Sequence, residues 1–375
     1  MAKSFYIPGS EHDHRILIVG VQTPMNRMID AQAYFQEFRN LVSSSGVVPT
    51  AEFMTKLRAI DNGYFFTKGK LEEIKALCNQ HRIDEVIVSE RLDNQQERNL
   101  TAFLGGTIID RTELILDIFE KGATSAEGKL QVEVALLQHK KSRVSGRGVE
   151  MSQQAGSIGT RGPGETQKEK ELQHLERQAS QLRKQLAQLE RVRETQRKRR
   201  TESRMPHIAI IGYTNAGKST ILNALTKSTV FAENRLFATL DTTTRELFIG
   251  GKKWGTISDT VGFIQNLPHE LIEAFKSTLS ELKYASLLLE VIDLSDKNWR
   301  NHIRVVQSIL EELEIFDTPI LYVFNKSDLL DEKARAEVTP LLEPFQPQVL
   351  VSATSKEGLK PLVVALENWN HKKAE

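Results

Sequence analysis

The chain has 375 residues, 39% hydrophobic and 26% charged, with a formal net charge of +1. That length holds two or three domains with real cores, and the charge balance excludes a global field that would draw the whole chain to nucleic acid, so any basic surface must be local. A single cysteine, Cys78, excludes a disulfide framework and a cysteine-built zinc site; no apolar run reaches membrane-spanning length and no signal-peptide core is present, so a cytoplasmic protein is expected.

In chain order, residues 15–22 read as a buried strand, 28–44 as a helix (Met28, Ile29, Ala33, Phe35, Phe38, Leu41, Val42) and 47–54 as a second strand. Residues 71–81 read as helix, 84–89 as strand, 94–104 as helix and 107–110 as a short fourth strand. Strands alternating with helices predict a small parallel α/β domain over residues 1–122, with no phosphate loop of its own. Gly69, between Lys68 and Lys70, is read as a plain turn in preference to an anion loop. Cys78 shares the apolar spacing of Leu71, Ile74 and Leu77, which predicts a buried structural thiol.

Residues 123–204 have a different character. Leu130, Val134 and Leu137 give a helix over 124–141 one apolar stripe, and a breaker-rich stretch running through Arg161-Gly-Pro-Gly-Glu-Thr166 follows. Over 165–200, Leu172, Leu175, Ala179, Leu182, Leu186 and Leu189 recur three and four residues apart, a coiled-coil seam expected to pack on the Leu130 stripe as an antiparallel hairpin. Self-dimerisation is the competing use of that seam; a monomer is expected. The end of the long helix is basic at Arg197, Lys198, Arg199 and Arg200. Such a run is ordinarily a solvated face, but at the tip of a protruding helix beside the Arg161 loop it favours contact with nucleic acid.

The next stretch organises the rest. A β-branched run from His207 ends in Gly212-Tyr213-Thr214-Asn215-Ala216-Gly217-Lys218-Ser219, followed by Thr220 and a helix-compatible segment to Lys227. This is G-x-x-x-x-G-K-S between a strand and a helix. Two glycines let successive N–H groups turn inward around a phosphate, the helix start adds its dipole, Lys218 reaches the outer phosphates, and the Ser219 hydroxyl holds Mg²⁺. Asn215 is a candidate ligand for a monovalent cation such as K⁺, with a structural turn-former as the alternative.

Four more stretches follow in the order a guanine-nucleotide switch requires. Phe237-Ala-Thr239-Leu-Asp-Thr-Thr-Thr-Arg245 can bring a hydroxyl to Mg²⁺ and an N–H to the γ-phosphate. Asp259-Thr-Val-Gly262 ends a strand, with Asp259 able to hold Mg²⁺ and the Gly262 N–H able to sense the γ-phosphate. Asn325-Lys326-Ser327-Asp328 ends another; the Asp328 carboxylate can accept guanine N1–H and the N2 amine, whereas adenine would leave it unpaired at roughly 3–5 kcal/mol. Lys326 can cover the ring, Asn325 braces the loops, and the Ala353 N–H of Ser352-Ala353-Thr354 can meet guanine O6. Phe263 stands where many such switches have a water-orienting glutamine, so slow basal hydrolysis is expected. A metabolic kinase, the rival from the phosphate loop alone, is disfavoured by Asn325–Asp328.

With these motifs, the Gly162-Pro-Gly-Glu-Thr-Gln167 signature and the helical hairpin in place, nearly the whole chain resembles the HflX family of ribosome-associated GTPases. The resemblance implies an α/β protein: an N-terminal small parallel α/β domain plus an antiparallel helical hairpin, then a P-loop GTPase domain over 205–366 and a short tail over 367–375. It implies GTP and GDP as ligands, Mg²⁺ as cofactor, and the large (50S) ribosomal subunit with its ribosomal RNA as partner, with splitting or rescue of stalled or idle ribosomes as the outcome. The family roles fall on Gly212, Asn215, Gly217, Lys218, Ser219 and Thr220 (phosphate loop), Thr239 (switch I, Mg²⁺), Asp259 and Gly262 (switch II), and Asn325, Lys326, Asp328, Ser352 and Ala353 (guanine). Lys218, Thr239 and Gly262 are the expected catalytic residues, Phe237 and Thr354 complete the GTP set, and Arg161 with Arg197–Arg200 are the expected RNA contacts. Two departures stand out: Thr242 replaces the family's switch I proline, and 138–158 is less basic than usual. A GTPase acting on another RNA, or a switch that recruits a protein, are the alternatives.

Overall fold

A computed structural model describes residues 14–26, 30–145, 163–202, 205–226, 236–237 and 243–369. These fall into two compact units, one taking in the chain to Lys121 with Leu130–Gln185, the other Gly122–Lys129 with Leu186 onward. Both are α/β. Among the described residues no helix is long and apolar enough to cross a membrane.

In the first unit, β1 (Ile16–Gln22) is buried throughout, as the central strand of a parallel sheet must be. Helix α1 (Ala31–Ser44) starts at Ala31, where the Asp30 carboxylate accepts the Ala33 N–H at 3.1 Å; Met28 and Ile29 lie outside the described residues. Strand β2 (Ala51–Lys56) begins later than the apolar run suggests. Pro49 has no N–H for a ladder, and pairing with β1 opens at Leu17–Ala51. Then come α2 (Lys68–His81), β3 (Glu85–Val88), α3 (Asn94–Leu104), β4 (Thr107–Ile109) and α4 (Arg111–Gly122). The sheet order is β2-β1-β3-β4, all parallel. Gly69 sits within the first turn of α2, which corrects the expectation of a plain turn there, and Cys78 is a free, buried thiol.

Helix α4 was invisible to periodicity because Leu114, Ile115, Leu116, Ile118 and Phe119 bury it on nearly every side. Helix α5 (Ala126–Ser145) corrects the expectation of a single stripe. Gln131, Val132, Val134, Ala135, Leu137, His139 and Val144 are all buried, so more than one face is covered. One face is tied to the sheet's helices: the Arg143 guanidinium pairs with Glu97 and with Asp110 (3.1 Å), and His139 lies 3.6 Å from Glu113. The other meets α6 (Pro163–Glu202), where Lys141 pairs with Glu176 and Leu137 shares a cleft with Leu175 and Ala179. The seam pattern holds along α6: Ala179 and Leu186 are buried and Leu172, Leu175, Leu182 and Leu189 partly so, amid exposed neighbours.

In the second unit, β5 (His207–Gly212), α7 (Lys218–Thr226), β6 (Thr243–Ile249), β7 (Lys252–Asp259), α8 (His269–Leu279), β8 (Leu287–Asp293), α9 (Trp299–Glu312), β9 (Ile320–Asn325), α10 (Glu332–Val338), β10 (Gln348–Leu350) and α11 (Lys356–Asn368) follow in order. Their sheet runs β10-β9-β8-β5-β7-β6, parallel but for the β6–β7 hairpin. Ile208, Ile210, Ile221, Leu222, Leu289, Val291, Val323 and Leu362 belong to one of its cores. The chain leaves β5 for β7 on one side and later returns to β8 on the other. That makes the carboxyl end of β5 a topological switch point, the usual ligand crevice of an open α/β sheet.

Candidate nucleotide-binding site

β5 is apolar until it leaves the sheet, and the turn after it needs glycine at two places. Gly212 has φ +145°, with Val291 O 2.3 Å from where a Cβ would stand; Gly217 has φ +96°, with Asn325 Nδ2 at 2.3 Å. Asn215 is the exposed crest at φ +61°, a left-handed angle that asparagine tolerates better than most residues. Tyr213, Thr214 and Ala216 are buried, and Thr220 is exposed on the first turn of α7.

Lys218 is buried, and its Nζ donates to the carbonyls of Gly212 at 3.2 Å and Tyr213 at 2.9 Å. Burial brings its pKa down to about 8, against the opposing pull of Asp259. The Ser219 hydroxyl donates to Asp259 Oδ2 at 2.6 Å, and Asp259 is fully buried at the end of β7. A Cβ at Gly262 would stand 2.9 Å from Lys218 Nζ and 2.8 Å from Thr214 Cγ2, so only glycine fits there without crowding the ammonium. The Thr260 hydroxyl anchors this stretch by donating to Ile210 O at 2.7 Å. Loop 212–219, Asp259 and Gly262, which the sequence placed in separate motifs, thus meet at one point. Phe263 is 1% exposed and serves as packing.

The predicted base loops also meet. The Asn325 side chain donates to Ala216 O at 2.9 Å and accepts the Ala353 N–H at 3.1 Å, bracing the phosphate loop against Ser352–Thr354. That Ala353 N–H, expected on guanine O6, is therefore directed at Asn325 in this structure. Ser327 N–H donates to Val351 O at 3.1 Å, and Ser352 and Thr354 hydroxyls lie 2.7 Å apart. Lys326 takes a left-handed φ of +60°, and its ammonium sits 2.6 Å from Asp293. Asp328 is exposed in the short turn that follows β9. The last strand ends at Leu350, two residues short of Ser352.

Of switch I, Phe237 is buried at φ +59°. Thr239, Thr242 and Arg161 lie outside the described residues, and so do the side chains of Arg197, Lys198, Arg199 and Arg200 in the last turns of α6. Sequence reasoning missed Asp293, the partner that orients Lys326, and Glu290 three residues earlier. The only signal of either was a carboxylate inside or at the end of the apolar run Leu287–Asp293.

Three family models match in succession: a GTP-binding GTPase N-terminal model at residues 32–120, a GTP-binding GTPase middle-region model at 122–200, and a 50S ribosome-binding GTPase model at 207–326. The GTPase HflX of Caldanaerobacter subterraneus subsp. tengcongensis is 41% identical over 365 residues, 97% of this chain and 82% of that protein. The GTPase HflX of Escherichia coli K12 is 41% identical over 297 residues, 79% of this chain and 70% of its own length. The crystal structure of SsGBP with GDP shares the fold, with a TM-score of 0.51 and 24% identity over 96% of this chain and all of that one.

Proposed function

The chain belongs to the GTPase HflX family, and from that premise we propose that this GTP-hydrolysing enzyme binds the large ribosomal subunit with GTP in the 212–219 loop and leaves after hydrolysis. The observation that carries the reading is the convergence of Lys218, Ser219, Asp259 and Gly262 on one point. A γ-phosphate held there would touch both the loop and switch II, so its loss would release switch II and shift the population away from the subunit-bound form. The 50S ribosome-binding description of the matching GTPase family supports the choice of partner.

Mg²⁺ fits the donor set. Ser219 Oγ and Asp259 Oδ2 offer two adjacent oxygens, and the described residues hold no group of three or more His, Cys, Asp or Glu that could cage an ion alone. An ion that takes its other ligands from phosphates and water is the usual arrangement for Mg²⁺. Thr239 is assigned as the switch I ligand, Asn215 as a candidate K⁺ ligand, and Lys218, Thr239 and Gly262 as the groups at the reacting phosphate. Asn325, Lys326, Asp328 and Ser352–Thr354 take the base. With Phe263 buried, nothing at that position orients water, so basal hydrolysis is expected to be slow. Arg161 and the Arg197–Arg200 tip meet ribosomal RNA through phosphates. The functional divisions are 1–122, 123–204, 205–366 and 367–375, and separation of the two ribosomal subunits is the proposed outcome of binding.

Sucrose-gradient sedimentation with large subunits and with whole ribosomes tests this. Co-sedimentation with the large subunit in a GTP analogue, its loss in GDP, and a shift of whole ribosomes to free subunits are expected. Equal binding in both nucleotides, or none, contradicts the proposal; co-purification with a different RNA would point to another RNA substrate.

A further inference from the structure

The phosphate-loop pattern leaves position 213 open, yet Tyr213 is 5% exposed and its ring lies flat on His302 of α9, centroids 3.8 Å apart and planes 8° from parallel. Its backbone forms an isolated parallel bridge with Phe263, the residue after the switch II glycine. Thr214 N–H donates to Phe263 O at 2.7 Å, and Phe263 N–H donates to Gly212 O at 3.2 Å. The Tyr213 hydroxyl then accepts the Gln265 N–H at 2.9 Å. Those two backbone bonds are made by residues 212 and 214, whatever side chain stands at 213. Only a phenol on that stacked ring makes the third.

The consequence falls on Gly262. Thr260 fixes the chain just before it, and Phe263 and Gln265 fix it just after, so the glycine is held where a Cβ would be 2.9 Å from Lys218 Nζ. We propose that the Tyr213 hydroxyl is a positioning group for switch II: by holding Gln265 it keeps Gly262 at the Lys218 ammonium, the spot where a γ-phosphate is read. This rests on the reading of loop 212–219 as the GTP site. His302 acts one step further back, by keeping the phenol in plane.

GDP has no γ-phosphate and gains nothing from a positioned Gly262, whereas GTP does. Removal of the hydroxyl therefore splits the two nucleotides. Tyr213→Phe keeps the ring and removes only the hydroxyl, so a residue that merely fills space would tolerate it. Full-length wild type, Tyr213→Phe, His302→Ala and His302→Phe are compared by titration with fluorescent GDP and a non-hydrolysable GTP analogue in Mg²⁺, by steady-state hydrolysis, and by hydrogen exchange of the Gln265 amide. In Tyr213→Phe, affinity for the GTP analogue and kcat each fall about fivefold, the effect of one lost hydrogen bond, while GDP affinity stays within about twofold. The Gln265 amide exchanges faster. His302→Ala moves the same quantities in the same direction, and His302→Phe, which keeps a flat ring, restores them. An unchanged GTP-to-GDP affinity ratio with unchanged Gln265 exchange overturns the proposal, and so does an equal loss of both nucleotides. Failure of the wild type itself to bind guanine nucleotide would instead overturn the reading of the loop.

Discussion

Glu290 sits in the middle of β8, between Ile211 of β5 and Tyr322 of β9, and is 0% exposed. Neither carboxyl oxygen has a hydrogen-bond partner among the described residues. Burial pushes its pKa from 4.5 up to about 8; burial, and after it the nearby Glu290, also holds the Tyr322 hydroxyl above its usual range. Because the folded pKa lies above the unfolded one, the native state binds more protons than the unfolded state between those values. Stability therefore falls as pH rises through that window and levels off above it. With 4.5 and about 8 as limits, the group costs on the order of 3 kcal/mol at pH 7 and about 1 kcal/mol at pH 5. Glu290→Leu removes the cost while roughly keeping the volume. Urea unfolding from pH 5 to 8, followed by tryptophan fluorescence, isolates the effect, because Trp254, Trp299 and Trp369 all lie in the unit that contains Glu290. The variant should be more stable than wild type, by a margin that widens by about 2 kcal/mol between pH 5 and 7. Parallel profiles would refute the reasoning.

The Lys218 ammonium, brought down to about 8 by burial, is lost from the nucleotide-free loop above that pH, while a bound phosphate retains the proton. GDP affinity should be flat below pH 7.5 and weaken toward about tenfold per unit above pH 8; a flat titration to pH 9 would contradict this. Arg143→Met strips the guanidinium from Asp110, which is 1% exposed, and should destabilise the N-terminal unit by about 3 kcal/mol, read as faster hydrogen exchange across α3 and α4. No change there would show that the cluster contributes nothing. Replacing Arg197, Lys198, Arg199 and Arg200 with Gln should weaken large-subunit binding and lower its salt slope by about 3, whereas an unchanged slope returns the tip to a solvated face.

What was legible from sequence was local. The loop 212–219, Asp259–Gly262 and Asn325–Asp328 carry their chemistry in consecutive residues, and each falls at the carboxyl end of a strand with a strong apolar run. The seam of α6 was legible for the same reason: its period survives one-sided burial. Helix α4 and the second face of α5 were not, because burial on several sides erases the period that reveals a helix. The late start of β2 hung on one missing N–H at Pro49. Contacts such as Tyr213 with Gln265 or Arg143 with Glu97 join residues far apart in the chain, and nothing in either stretch announces the other.

The assignment of the base loop is tested most directly by calorimetric titration of wild type and Asp328→Asn with GTP, XTP and ATP. Wild type should take GTP far more tightly than ATP, and the variant should prefer XTP, since an amide can donate where the carboxylate accepted. A variant that keeps its GTP preference, or a wild type that takes ATP as readily as GTP, would contradict the account.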